Sequence, residues 1–321
     1  MLEGLHGSGR REARDGTWCA VAMARGVLCR SAAMVPEGYA QALAAAQAPD
    51  IGALVGAYRL AALLGSGGMG WVYRAHDVED DRAAAVKIMR AEQLANERSA
   101  ARMVREARIL ASVSHAGIPQ FFDCGILVDH RPWIAMELIA GPSLTTRYHG
   151  PPVEADELIA TLSEVAGVLA AAHSRGVVHR DIKPDNIVLA PDGVHVVDWG
   201  IARYREGARY TNADEVIGTP TYMAPEHARG SHCDDPLSDI YALGVIAYQG
   251  LARRAPFIGN SAIEILVQHI NDPVPALAPR CPHVAMGVID LVERMLEKRP
   301  EHRPTALEVK ERLDQFQTPA R

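Results

Sequence analysis

Short, mostly apolar runs separated by turn residues mark the first half of the chain and predict β-strands. Five such strands are predicted, at residues 58–64, 71–75, 83–89, 119–126 and 132–138. One segment of this half differs, because residues 94–113 place charges on one face and apolar side chains on another. That period predicts a single helix among the strands.

Helical periodicity dominates after Gly141 and Pro142, which mark a break in composition. Four helices are predicted here, at residues 153–174, 238–250, 261–270 and 288–296. The chain is therefore β-rich with one helix and then α-rich, which predicts an α+β protein of two lobes joined by a hinge. Residues before about 50 show no consistent period and predict a flexible leader.

The composition argues against a disordered protein, a nucleic-acid-binding protein and a membrane protein. Apolar residues make up 48% of the 321-residue chain and charged residues 22%, which argues against disorder. A formal net charge of −6 offers no general attraction to nucleic acid or to an anionic membrane. The five cysteines are scattered, and no apolar run reaches the length of about 18 residues needed for a membrane span. These features predict a cytoplasmic protein with free thiols and no membrane anchor.

The glycine-rich stretch GSGGMGWVY, residues 65–73, holds the first candidate chemistry. Gly65, Gly67, Gly70 and Val72 follow the spacing G-x-G-x-x-G-x-V. Glycine loses the most entropy on ordering, so this density costs stability unless the backbone must approach something closely. A nucleotide phosphate is one such partner, although a simple hairpin turn is the commoner reason for glycines at this spacing.

Lys87 lies inside the apolar run AAAVKIM, and Glu106 lies on the predicted helix 19 residues later. A lysine in such a run usually reaches solvent at a sheet edge, and a helix glutamate is usually solvated. If the strand and the helix pack together, Glu106 can instead orient the Lys87 ammonium toward phosphate oxygens.

The segment VVHRDIKPDNIVL, residues 177–189, concentrates charged and amide side chains between two predicted apolar strands. Asp181 and Asn186 can be presented to one centre by a single loop, and Lys183 can neutralise charge near a phosphoryl group. Asp198 ends a further apolar strand, VHVV. An aspartate before a glycine is commonly a turn residue, but with Asn186 it also forms an oxygen-ligand pair that suits Mg²⁺.

Taken together, these motifs resemble the bacterial eukaryotic-like (Hanks-type) serine/threonine protein kinases. The ordered set is GSGGMGWV, AVK, REA, HRDIKPDN, DWG, GTPTYMAPE, the SDIYALG helix and HRP, and it covers residues 58–316. The resemblance implies a bilobal protein-kinase-like fold with a β-rich N-lobe and a mostly α-helical C-lobe. The implied division is a leader at 1–57, an N-lobe at 58–138, a hinge at 137–143, a C-lobe at 144–316 and a tail at 317–321.

The resemblance also implies ATP and Mg²⁺ as cofactors, with Mn²⁺ as a substitute metal. Asp181 would orient the attacking hydroxyl and accept its proton, with Lys183 beside it. Lys87, paired with Glu106, would hold the α- and β-phosphates. Asn186 and Asp198 would bind the metal. The residues implied around ATP are Leu64, Gly65, Ser66, Gly67, Gly68, Met69, Gly70, Val72, Ala85, Lys87, Met136, Glu137, Ile139 and Val188.

Protein substrates with Ser or Thr are implied by Lys183 and by Thr219 in GTPTY, which resemble serine/threonine rather than tyrosine kinases. Glu226, held by a buried ion pair with Arg303, would support a peptide-binding platform. Arg180 beside Asp181 implies regulation by phosphorylation of the activation loop at Thr211. Autophosphorylation would bring two copies of the chain together transiently.

One residue departs from the family pattern, since Trp199 replaces the usual phenylalanine of DFG. The ring would stack with His179, Leu110 and Phe121, and its N–H needs a partner when buried. We expect an active enzyme with a shifted balance between active and inactive states. The competing interpretations are a pseudokinase scaffold, which loss of Lys87, Asp181, Asn186 or Asp198 would indicate, and a small-molecule kinase, which would leave the APE platform without a purpose.

Overall fold

A six-stranded antiparallel sheet builds the first lobe of the computed structural model, which describes residues 48–67, 70–90, 107, 109–199, 220–231 and 235–317. Along the sheet the strand order is β1-β2-β3-β4-β6-β5. The strands are β1 (Leu54–Val55), β2 (Tyr58–Gly67), β3 (Gly70–Asp77), β4 (Ala83–Met89), β5 (Phe121–Ile126) and β6 (Pro132–Glu137).

All five strands predicted for this lobe are confirmed, and β4 begins and ends where the AAAVKIM run does. The sheet also contains β1, which pairs with the start of β2 and buries Val55. A strand of two residues is too short to show a period, so the pattern could not indicate it. Of the predicted helix at 94–113, only residues 107 and 109–113 are described; 107 and 109–111 are helical, and the helix ends at 111, two residues before the predicted end.

The second lobe consists of helices and one β-hairpin, formed by β7 (Ile187–Ala190) and β8 (Gly193–Val196). Its helices are α1 (Leu144–Tyr148), α2 (Ala155–His173), α3 (Pro225–Ala228), α4 (Leu237–Ala252), α5 (Ala262–Asn271), α6 (Met286–Met295) and α7 (Ala306–Asp314). Helices α2, α4, α5 and α6 match the four predicted helices to within two residues at each end. The prediction of an α+β, bilobal fold is therefore confirmed.

Three helices of this lobe were not predicted. Helices α1 and α3 have five and four residues, which is less than two turns and leaves no measurable period. Helix α7 carries a capping box between Thr305 and Glu308, a signal that the periodicity analysis did not use. The strand predicted at the start of the segment 177–189 is wrong, because Val177 and Val178 are buried without belonging to a strand.

Helix α4 lies at the centre of the second lobe. Every residue from Ser238 to Tyr248 is buried, as expected for a helix whose apolar residues cover all its faces. Two polar residues of α4, Ser238 and Asp239, are buried with the rest. Burying a carboxylate is costly unless it is hydrogen-bonded, so Asp239 must have partners in the surrounding loops.

Two further expectations concern properties of the whole chain. In the part of the chain that the structure describes, no helix combines the length and the apolar character that a membrane span requires. Cys281 is a free, buried thiol, as expected, and Cys124 is also buried. The other three cysteines lie outside the described residues.

Candidate active site

Lys87 and Asp198 form an ion pair across the cleft between the lobes. Lys87 lies on β4, where it pairs in register with Val72 on one side and Ile134 on the other, and it is 7% exposed. Its Nζ lies 2.5 Å from Oδ1 of Asp198, which follows β8. Burial by itself would raise the pKa of the Asp198 carboxyl, but the adjacent Lys87 ammonium outweighs it, so the pKa lies below its ordinary value.

Glu106, the predicted partner of Lys87, lies outside the described residues. Their pairing therefore stays a prediction. The contact seen here joins Lys87 to a residue 111 positions away instead.

The loop of residues 179–186, called the HRD loop below, holds Asp181 beside Lys183 and Asn186. Lys183 Nζ donates to Asp181 Oδ2 at 3.0 Å. The Asn186 side-chain amide donates to the Asp181 carbonyl at 2.8 Å. Because the amide nitrogen of Asn186 is committed to this bond, its Oδ1 is the atom left to act as a ligand. Three of the residues predicted from the motif therefore lie within one hydrogen-bonded loop.

Asp239 of α4 anchors the HRD loop from below. Its carboxylate accepts hydrogen bonds from the backbone N–H groups of His179 and Arg180, each at 2.8 Å, and from Nε2 of His173 at 2.9 Å. Burial would raise the pKa of Asp239, but these hydrogen bonds and the neighbouring histidines hold it below its ordinary value. Sequence reasoning missed Asp239, although an acid within the apolar SDIYALG helix was a signal that could have indicated it.

His179 links the HRD loop to the chain before Asp198. Its Nε2 donates to the Val197 carbonyl at 3.0 Å, and its Nδ1 accepts from the Asp181 N–H at 3.2 Å. The ring is fully buried, which lowers the pKa of His179. Both bonds fit a neutral ring with its proton on Nε2.

Asn186 and Asp198 are brought together by the backbone. The Val197 N–H, next to Asp198, donates to the Asn186 carbonyl at 2.9 Å. Among the described residues, no group of three His, Cys, Asp or Glu side chains is arranged as a metal site. One carboxylate and one amide oxygen fit a hard cation that takes its remaining ligands from phosphates and water, as Mg²⁺ does.

The predicted nucleotide-contacting residues lie on both lobes. Leu64 and the described glycines of the turn belong to β2 and β3, whereas Gly68 and Met69 lie outside the described residues. Ala85 pairs in register with Met136, which places these two on neighbouring strands. Val188 comes from the other lobe, on β7. The Glu137 N–H donates to the Gln120 carbonyl at 2.8 Å, so this N–H already has a partner in the structure.

The Glu226–Arg303 pair predicted from the sequence is confirmed. Arg303 Nη1 and Nη2 donate to the two carboxylate oxygens of Glu226 at 2.7 and 2.8 Å, and both side chains are buried. Ser238 Oγ adds a third bond to the carboxylate. Burial would raise the pKa of Glu226, but Arg303 outweighs it and holds the pKa below its ordinary value.

Arg303 also donates to the carbonyls of Leu237, Glu297 and Lys298. One buried guanidinium thus connects α3, α4 and the loop before α7. Thr211 lies outside the described residues, so its predicted approach to Arg180 stays a prediction.

Comparison with known proteins places these features in a family. The sequence model of the protein kinase domain matches residues 58–313. The chain is 37% identical to serine/threonine-protein kinase pkn3 of Myxococcus xanthus over 263 residues, and 36% identical to PknA of Mycobacterium tuberculosis over 262 residues. It is 37% identical over 258 residues to the DNA damage-responsive kinase RqkA of Deinococcus radiodurans.

These alignments include 78–79% of this chain but only 48%, 60% and 38% of the three relatives, in the same order. Among solved structures, the kinase domain of PknI from Mycobacterium tuberculosis, as its C20A mutant, has a TM-score of 0.66 at 25% identity. That match covers 84% of this chain and 99% of the PknI chain. The bilobal fold, the cleft that brings Lys87, Asp181 and Asp198 together, and the family match lead to one conclusion: this chain belongs to the protein kinase domain family.

Proposed function

We propose that the chain is an ATP-dependent serine/threonine protein kinase. The observation that carries the proposal is the cleft itself, where Lys87 of one lobe contacts Asp198 of the other while the HRD loop holds Asp181 beside Lys183 and Asn186. No member of this set is missing, which argues against a pseudokinase. The relatives are named as serine/threonine-protein kinases, which supports the same activity.

Asp181 is the residue that we place at the attacking hydroxyl. The Lys183 ammonium holds its carboxylate by a hydrogen bond of 3.0 Å, and the backbone beneath it is anchored to Asp239. A fixed carboxylate can orient a hydroxyl group and take its proton as the phosphoryl group leaves ATP. Lys183 then remains close enough to offset negative charge on that phosphoryl group.

Lys87 has a different task at the phosphates. Its ammonium contacts Asp198 in this structure, and nucleotide binding gives it phosphate oxygens as additional partners, with Glu106 orienting it. Asn186 and Asp198 are the residues that we propose to hold Mg²⁺, with Mn²⁺ as its substitute. When bound, the metal supplies positive charge that offsets the charge of the phosphates.

Both lobes supply the remaining proposed contacts to ATP. The backbone of the glycine-rich turn covers the phosphates, Val72 and Ala85 lie above the adenine, and Val188 lies below it. Met136 closes the back of the pocket. Backbone groups of Glu137 and Ile139 bond the adenine edge.

The substrate and the regulation of the site form the finer part of the proposal. The buried Glu226–Arg303 pair supports a rigid platform for a Ser- or Thr-containing protein segment. We place the kinase domain at residues 58–316, with the hinge at 137–143, a leader before it and a short tail after it. A phosphate on Thr211 would pair with Arg180 after two copies meet transiently. The scattered positions of the five cysteines in the sequence support a reducing, cytoplasmic setting.

The test is phosphoryl transfer from labelled ATP, with Mg²⁺ or Mn²⁺, to peptides that contain Ser, Thr or Tyr. Asp181→Asn should lower kcat roughly 10²–10⁴-fold with little change in ATP affinity, because Asp181 acts on the hydroxyl and not on the nucleotide. Asp192→Asn, the same change on the exposed β7–β8 turn, serves as the matched control.

Each outcome has a distinct meaning. ATP binding without transfer in the wild-type protein would favour the pseudokinase. Transfer only to small molecules would favour the small-molecule kinase. Wild-type turnover in Asp181→Asn would overturn the role given to Asp181, and mass spectrometry of the products would show whether Thr211 is modified.

A further inference from the structure

Trp199 makes a hydrogen bond that the usual phenylalanine at this position lacks. Its side chain is 4% exposed, and its indole Nε1–H donates to the Val196 carbonyl at 2.8 Å. The ring also lies 4.8 Å from the ring of His179, centre to centre, and lines the same cavity as Leu110 and Phe121. The expected contact with His179 is present, although the rings are tilted by 52° and not stacked, and the N–H has the hydrogen-bond partner that burial demands.

The bond spans the residue that contacts Lys87. Between Val196 and Trp199 the chain passes through Asp198, whose φ of 59° lies in the left-handed region. A residue with a Cβ adopts this conformation at a cost and keeps it only when the surroundings hold it in place. The chain around Asp198 therefore needs restraint if the carboxylate is to stay directed at Lys87.

Four hydrogen bonds restrain the two residues before Asp198. The N–H groups of Val196 and Val197 donate to the carbonyls of Gly117 and Asn186, at 2.8 and 2.9 Å. The carbonyl of Val197 accepts from His179, and that of Val196 accepts from Trp199. The first three bonds are independent of the side chain at position 199.

The fourth bond, from the Trp199 indole N–H to the Val196 carbonyl, joins residues on either side of Asp198 in the chain. It ties the residue after Asp198 back to the residue two positions before it, so it limits rotation about the intervening backbone. If the Trp199 side chain leaves its buried position, this bond and the ring contact with His179 are lost together, and Asp198 loses one of its restraints.

We propose that Trp199 is a positioning residue, whose indole N–H holds the turn that keeps Asp198 directed at Lys87 before nucleotide binds. The consequence for catalysis rests on the kinase function proposed above, whereas the restraint of the turn is a property of the folded chain alone. Residue 199 acts through Asp198 and does not itself touch the reacting atoms. Its effect is to favour the arrangement in which Asp198 contacts Lys87.

Two replacements separate the hydrogen bond from the shape of the ring. Trp199→Phe removes the donor and also reduces the ring. Incorporation of 3-benzothienylalanine at position 199 replaces the N–H with sulfur and retains the bicyclic shape. Trp133→Phe is the matched control, because Trp133 is also buried but lies on β6, where it packs edge-on against Tyr58.

The first measurement is hydrogen exchange at the Val197 amide of the nucleotide-free protein, because this amide bonds to Asn186 next to the turn. Loss of one neutral hydrogen bond should speed its exchange roughly 3- to 10-fold in both replacements at position 199. The Trp133→Phe protein should lose thermal stability and keep the wild-type exchange rate at Val197.

The second measurement is initial-rate kinetics of the unphosphorylated protein. We expect kcat to fall in both replacements by a larger factor than KM for ATP rises, because a displaced Asp198 impairs transfer at the phosphates and leaves the adenine site intact. If Trp199 only stabilised the fold, the folded fraction of each variant would have the kcat and the KM for ATP of the wild type.

Contrary results are readily recognised. Wild-type exchange in the benzothienylalanine protein would show that ring shape, not the N–H, holds the turn, and would overturn the proposal even if Trp199→Phe failed to fold. Wild-type kcat in both replacements would overturn the positioning role. If the wild-type protein transferred no phosphate but exchange at Val197 still rose, the proposed function would fail while the restraint by Trp199 stood.

Discussion

The HRD loop and the glycine-rich turn face the same cleft, yet they are held in very different ways. The backbone of the HRD loop is bonded to the buried Asp239 carboxylate, and within the loop Lys183 bonds to the Asp181 side chain and Asn186 to the Asp181 carbonyl. In the turn, the β2 residues 61–67 are all exposed. One side-chain bond reaches its described part, from Arg90 Nε to the Gly67 carbonyl at 2.9 Å.

This difference matches the separate tasks proposed for the HRD loop and for the glycine-rich turn. Groups that direct a reacting hydroxyl gain from fixed positions, because small displacements are costly to catalysis. A cover for phosphates must open for the nucleotide to enter, so it gains from few buried contacts. Rigidity is therefore concentrated where protons and phosphoryl groups are handled, and freedom where the nucleotide enters.

The largest effect is expected from breaking the buried ion pair between Glu226 and Arg303 in the second lobe, the lobe that also holds the HRD loop. Arg303→Met leaves the Glu226 carboxylate buried without its cation and should lower the free energy of unfolding by about 3–5 kcal/mol. Urea denaturation would measure the change. The exposed Arg299→Met is the matched control, and Glu226→Gln added to Arg303→Met should recover part of the loss. Equal stability of the two arginine variants would show that the pair contributes little.

Lys87→Met should have the next effect, this time on activity. The change keeps apolar bulk on β4 but removes the charge that contacts Asp198, so we expect kcat/KM to fall roughly 10²–10³-fold in a folded protein. Steady-state kinetics and circular dichroism would test this. Lys310→Met, on the surface of α7, should keep wild-type turnover. A modest loss in Lys87→Met would remove Lys87 from the phosphate site.

The folded protein should also lose stability in acid, because His269 of α5 is buried in its neutral form. Burial, and then the positive charge of Lys298, lower the pKa of His269 to about 4. The unfolded chain takes up this proton near pH 6.5, so the stabilisation is complete above that pH and is lost as pH falls toward 4. The loss is about 3 kcal/mol.

The measurement for His269 is the free energy of unfolding at several pH values. His269→Gln should remove this part of the pH dependence, although it will also lose the bond with the Tyr241 hydroxyl at all pH values. His302→Gln, an exposed change, should leave the pH dependence as in the wild type. Parallel pH profiles for wild type and His269→Gln would contradict the prediction.

The smallest effect is expected for two glycines of the glycine-rich turn, Gly67 and Gly70. A Cβ on Gly70 would lie 2.1 Å from the Ile88 carbonyl oxygen, whereas one on Gly67 would meet no atom within 4 Å. Gly70→Ala should therefore cost about 1–3 kcal/mol of stability. Gly67→Ala should melt like the wild type and lose affinity for ATP, because a methyl group now occupies space above the phosphates. Equal melting temperatures for the two variants would contradict this distinction.

The sequence predicted much of the fold, because long segments carry their own period. Strand β4 and the four longer helices are each visible as local patterns, and turns such as Gly141–Pro142 separate them. The two-residue strand β1 and the short helices α1 and α3 carry no such pattern. Val177 and Val178 show the opposite error, since burial makes a run apolar whether or not its backbone joins a sheet.

For the candidate site, the motifs identified Lys87, Asp181, Lys183, Asn186 and Asp198 because charged and amide residues are costly between apolar segments. They also indicated that a buried Trp199 would need a hydrogen-bond partner. Such conclusions depend on the chemistry of a residue and its neighbours in the chain, which a single sequence contains.

Apart from the Glu226–Arg303 pair, which the resemblance implied, only the tertiary structure decided which distant groups meet. Lys87 contacts Asp198 across 111 positions, and Asp239 of α4 anchors a loop some 60 residues before it. Each of these contacts depends on burial, which removes water as the alternative partner and makes an unpaired polar group costly. Burial is a property of the packed molecule as a whole, and no local pattern along the chain encodes it.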